Sequence, residues 1–88
     1  MNSSLTWDEP KRQLALLERG LDFADAELVF TQIVFEFEDA RQHYGACRMV
    51  CFGYLAGRLV VVGYVQRGEF RHIFSMRKAN EREIAKFR

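Results

Sequence analysis

The chain has 88 residues, near the small end for one independent core, and a formal net charge of +1. An apolar share of 49% with eight Phe supports a real core, and the longest apolar run, Leu59 to Val65, is too short to span a membrane. The first residues, MNSSLTWDEP, lack the basic start and apolar middle of a signal peptide, so a cytoplasmic protein is expected.

In chain order, Leu5-Thr6-Trp7 can form a short strand or an extended lead-in. Asp8-Glu9-Pro10 starts a helix over about 9–19, because an acid caps and proline suits a first turn whose N–H needs no partner. Leu14, Leu17 and Leu21 recur on one face, and Gly20 is a natural stop. Asp22 with Asp25 resembles a capping box, opening a second helix over about 23–31 with Ala26, Val29 and Phe30 inward. Ile33, Phe35 and Phe37 alternate with Val34, Glu36 and Glu38 as a strand, and Asp39 to Gly45 reads as a polar loop. Cys47 to Tyr54 and Arg58 to Val65 form a hairpin around Leu55-Ala56-Gly57. Arg67-Gly68-Glu69 turns the chain into a last strand over 70–76, and Asn80 with Glu83 caps a helix over 81–87. The outline is an α+β domain: two N-terminal helices, an antiparallel meander and a short C-terminal helix.

Residues 1–40 hold nine acids against three bases, and residues 41–88 hold ten bases against three acids. That division suggests a polyanion contact on the second half, or simply attraction between the halves. Cys47 and Cys51 on one strand would lie about 13 Å apart, too far for a disulfide, and reduced thiols fit a cytosol. No C-x-x-C pair supports a zinc site from His43, Cys47, Cys51 and His72, and no cofactor is expected.

Strict alternation along the last strand places Arg71, Ile73, Ser75 and Arg77 on one face and His72, Phe74, Met76 and Lys78 on the other. A meander can bring Arg48, Arg67 and Arg77 together, and three guanidinium groups suit phosphodiester cleavage. They bind phosphate bidentately, stay charged at cellular pH and stabilise a pentacoordinate transition state. His43 and His72 have the intrinsic pKa of a general base, although a lone His is more often structural. Tyr44, Tyr54 and Tyr64 read as core or rim, and Trp7 either stacks on a base or seals the core. No Ser-His-Asp set, Gly-rich phosphate loop or paired-carboxylate site stands out.

The stretches WDEPKRQLALLERGLDFADAELVF (7–30), GYLAGRLVVVGYVQRG (53–68) and FSMRKANERE (74–83) resemble the BrnT family, the toxin halves of type II toxin–antitoxin pairs. The resemblance implies a single toxin domain over 1–88 with a RelE-like fold. It also implies a ribonuclease that inhibits translation and growth without a metal. The implied partner is a ribbon-helix-helix antitoxin of the BrnA type, in a complex with two copies of each protein that contacts DNA only through the antitoxin. On this pattern Arg77, Arg67 and Arg48 are the catalytic residues, and Lys11, Trp7, Arg19 and Lys78 contact RNA. The chain departs from the pattern at Glu18-Arg19, where the family commonly reads Lys-His, at Cys47, where an acid is common, and at His72, where an arginine is. These departures give an alternative: a weak or inert toxin-like protein that serves as the antitoxin-binding module of a DNA-binding, autoregulatory complex.

Overall fold

The computed structural model describes residues 4–39 and 47–87. His43, Tyr44 and most of the expected polar loop lie outside the described residues. The elements are β1 (Leu5–Trp7), α1 (Glu9–Arg19), a 3-10 turn (Phe23–Asp25), α2 (Ala26–Phe30), β2 (Ile33–Glu38), β3 (Arg48–Leu55), β4 (Arg58–Arg67), β5 (Phe70–Lys78) and α3 (Glu81–Lys86). They form a mixed α+β architecture around one five-stranded sheet in the order β1-β5-β4-β3-β2.

Two expectations about this outline need correction. The chain opens on a strand, and β1 pairs with β5 in parallel, so the sheet is not a purely antiparallel meander. The stretch over 23–31 is also not one helix. Asp22 caps a 3-10 turn by accepting from the Ala24 N–H, and only five α-helical residues follow before Thr31. The local reason is the Asp22 cap itself, which fixes a tight turn that the short α2 then continues.

The helix α1 begins with Pro10 in its first turn, but Asp8 makes no side-chain cap bond. The first turn is closed by the Arg12 N–H donating to the Asp8 carbonyl, and the Arg12 and Gln13 side chains donate to the Glu9 carboxylate. Packing also differs from the leucine stripe expected. Ala15 is the buried residue of α1, Leu21 beyond it is buried, and Leu17 is 84% exposed. A small residue at the contact lets the helix lie close against β5, and Leu14 and Leu17 stay exposed.

The core has two layers on opposite sides of the sheet. On the inner face, Ala15, Leu21, Phe23, Ala26 and Val29 cover Cys51, Val60, Val62, Tyr64, Ile73 and Met76. On the outer face, Phe52, Leu59 and Val61 pack with Val50, Tyr54, Ala79 and Phe87. The capping box forms as the sequence predicts, with Asn80 accepting from the Glu83 N–H and Glu83 accepting from the Asn80 N–H. Six residues are too few for a stable free helix, so the docking of Phe87 on Phe52, 4.9 Å between centroids, holds α3 down.

The inner layer is closest where α2 ends. A Cβ on Gly53 would stand 2.7 Å from the Val29 carbonyl oxygen and 3.0 Å from that of Gln32. Those neighbours are backbone and cannot swing aside. Gly53→Ala is expected to cost about 1–3 kcal/mol, read as a lower urea midpoint at unchanged slope.

Candidate functional site

Cross-strand partners share a face, so the register builds the outer face row by row. One row runs Arg48, Val65, His72 and Thr6 across β3, β4, β5 and β1. The next holds Val50, Gly63 and Ser75, and a further one holds Phe52, Val61 and Arg77. Arg67, two residues beyond Val65 on β4, falls on the same face. Arg48, Arg67 and Arg77 therefore share one side of the sheet. Arg77 stands apart along the strands, about 13 Å from the Arg48 row at four residues' rise.

This face depends on an irregularity that simple alternation misses. Between Gly63 and Tyr64 the register shifts, so Phe74 has no residue opposite it on β4. Up to Ile73 the strand keeps one phase, and after the bulge it takes the other. Arg71, Ile73, Met76 and Lys78 thus lie on the inner face with their partners, while His72, Ser75 and Arg77 lie on the outer one. The expected grouping of Arg71 with Ser75 and Arg77 is overturned by this one extra residue.

The bulge residue has its own use. Gly63 leaves a gap that the Phe74 ring fills, since a Cβ there would lie 2.8 Å from two ring atoms and 2.6 Å from Ser75 Oγ. The Arg48 guanidinium carbon sits 4.7 Å from the centroid of that ring. An aromatic plate under a guanidinium orients it. Arg67 lies at the end of β4, beside a turn that Gln66 Nε2 braces by donating to the Gly68 carbonyl at 2.9 Å and to that of Phe70 at 3.3 Å.

Arg77 is engaged differently. Its Nη1 and Nη2 donate to Glu83 at 2.8 and 2.9 Å, so strand end and α3 are tied by a two-point ion pair. The Arg77 guanidinium lowers Glu83 from its ordinary 4.5 to about 2, and Glu83 in turn raises Arg77. Beside this pair a cleft of about 700 Å³ opens among Phe37, Glu38, Val50 and Phe52.

The remaining sequence-predicted residues divide. Lys11, Glu18, Arg19 and Ser75 line a groove of about 240 Å³ between α1 and β5, and Arg19 Nη1 donates to the Met76 carbonyl at 3.1 Å. Trp7 packs partly on the core and spends its N–H on Glu9 at 2.9 Å. Lys78 pairs with Val60 on the inner face and lines a separate groove with Arg58, away from the arginine rows. Cys51 is buried, which pushes its thiol to about 12. Among the described residues no group of three or more His, Cys, Asp or Glu could hold a metal ion. Nor is any described helix long and apolar enough to cross a membrane.

Three features escaped the sequence reading: the Phe74 plate under Arg48, the Arg77–Glu83 ion pair, and the Thr6–His72 contact at 2.9 Å. An isolated Gly63 within a valine run is the one signal that pointed to the first.

The Glu83 carboxylate has a folded-state value below its unfolded one, so its contribution is complete above pH 4.5 and is lost as pH falls towards about 2. Glu83→Gln is expected to flatten the fall in Tm across that window, followed by circular dichroism at matched ionic strength.

The chain matches the family described as "Ribonuclease toxin, BrnT, of type II toxin-antitoxin system" over residues 7–83. No curated protein matches it. The match runs from β1 through the whole sheet into α3, and the chain belongs to the BrnT family of type II toxin–antitoxin ribonuclease toxins.

Proposed function

We propose that this BrnT-family chain is an endoribonuclease that cuts RNA on the outer face of its sheet, with guanidinium groups supplying the positive charge that a metal would otherwise supply. The observation that carries this reading is the Arg48–Phe74 stack with Arg67 on the same face. A phosphodiester gains negative charge as its phosphorus becomes five-coordinate, and fixed cations stabilise that state more than the ground state. Arg48 and Arg67 hold the scissile phosphate. Arg77 is the third cation and reaches a phosphate only by giving up Glu83. Lys11 and Arg19 extend the positive track along the α1–β5 groove.

The family implies an antitoxin partner, and we take it to be a ribbon-helix-helix protein of the BrnA type in a complex with two copies of each chain. That antitoxin carries the DNA contact, and the single toxin domain acts in the cytoplasm with the RelE-like ground plan. A second reading rests on the Arg77–Glu83 closure: a chain whose third arginine stays locked would bind antitoxin without cutting RNA.

Expression without antitoxin separates the two, because cleavage predicts growth arrest and the inert module predicts normal growth with folded protein. In purified form, RNA cleavage is expected to persist in excess EDTA. Arg48→Ala or Arg67→Ala should each lower it by roughly 10²–10³-fold. Full loss on chelation, or undiminished rates in both variants, would remove the arginine-based mechanism. Gly63→Ala, by displacing the Phe74 plate, is expected to lower cleavage about tenfold or more while the far-ultraviolet spectrum stays native.

A further inference from the structure

Among the described residues, His72 occupies a position that the family assignment does not explain. It stands in the Arg48–Val65 row on the outer face, directly opposite Thr6 on β1, and its Nδ1 lies 2.9 Å from Thr6 Oγ1. Building on the RNA-cleaving function proposed above, we infer that His72 is the general base of the reaction, with Thr6 as its positioning residue.

Register and hydrogen bonding together give the ring one orientation. In the parallel β1–β5 pair Thr6 and His72 are direct partners, so the hydroxyl meets the near ring nitrogen. With Nδ1–H donated to that hydroxyl, Nε2 keeps its lone pair and can accept a proton. Arg48 and His72 flank Val65 at a Cα separation of about 10 Å, two strand spacings, which leaves room for a phosphate between guanidinium and imidazole.

The charges facing the ring keep it neutral. Burial lowers the His72 pKa first, then Arg67 from the end of β4 and Lys11 from α1, while Asp8 at the start of α1 acts in the opposite sense. Thr6 on β1 and Val65 on β4 bring no charge. The cations that would hold RNA thus also keep the base unprotonated near pH 7. Among the described residues, two further titrating groups are tied elsewhere. Tyr64 is raised to about 12 by burial and donates to Glu36 at 2.6 Å, and Glu83 is bound to Arg77.

The chemical step balances without a metal or an oxidant. The 2′-oxygen forms a bond to the adjacent phosphorus, and the bond from phosphorus to the 5′-oxygen breaks. The 2′-hydroxyl proton passes to His72 Nε2. The leaving 5′-oxygen takes a proton from water, and the hydroxide so formed takes the proton from His72. The products are a 2′,3′-cyclic phosphate and a 5′-hydroxyl.

The test is single-turnover cleavage of an RNA oligonucleotide from pH 5 to pH 8 by the full chain, with His72→Gln and Thr6→Val beside it. The unsubstituted protein should lose rate as pH falls through the lowered imidazole pKa. His72→Gln should be slower by roughly 10²–10⁴-fold and lose that acid limb. Thr6→Val should be slower but keep the limb at a shifted midpoint, which a merely structural contact would not do. Nitrogen NMR of the unsubstituted protein, assigned by the signal missing in His72→Gln, should show a midpoint below 6.5 with the neutral-form proton on Nδ1. A neutral-form proton on Nε2, or His72→Gln cleaving within threefold of the parent with the same pH profile, overturns the assignment and leaves RNA cleavage standing. No cleavage by the unsubstituted protein overturns both. Should His72→Gln fail to fold, the Thr6→Val profile and the NMR titration still decide it.

Discussion

The extra residue in β5 is the constraint on which the outer face depends. Ile73 and Met76 are both fully buried against the helices, although they stand three positions apart. A regular strand would send one of the two to the outer face. The bulge at Phe74 absorbs the mismatch, keeps both apolar residues inside and so places His72, Ser75 and Arg77 outside together. Burial of core side chains at about 25 cal/mol per Å² thereby fixes where the cations point. The placement of these outer-face side chains is a by-product of satisfying the core.

Within that face the arginines are held in unequal ways. Arg48 rests on an aromatic ring, a contact that orients its guanidinium. Arg77 meets a carboxylate whose oxygen also caps α3, so its charge is offset in the unliganded chain. The same pair fastens α3 beside the exposed Phe35 and Phe37, with the Phe87 ring 5.6 Å from Phe35. The Arg77–Glu83 pair and the seating of α3 are therefore coupled, because the carboxylate that holds the guanidinium also caps the helix.

Charge separation along the chain reappears in space in altered form. Three acids of the first half are tied within the chain: Asp22 takes Arg12 in a two-point pair, Glu9 takes Arg12, Gln13 and Trp7, and Glu36 takes Tyr64. Arg71 turns inward over Phe30 and Tyr64. Of the second-half cations, Arg48, Arg67 and Arg77 share the outer face, and Lys78 and Arg58 line a groove on the inner one. Summed charge foretold a basic half, but strand phase decided which members share a face.

The sequence by itself determined what rests on local chemistry. It specified the extent of α1, the β3–β4 hairpin, the Asn80–Glu83 capping box and the motifs that assign the chain to its family. Each of these depends on residues a few positions apart, where capping, turn geometry and periodicity act directly. Only the tertiary structure decided that β1 runs parallel beside β5, that Leu17 faces solvent and that Phe74 is a bulge. It alone joined Thr6 to His72 and Arg77 to Glu83. Strand order and phase are set by competition among all apolar side chains for one shared interior, and no local window of sequence contains that competition.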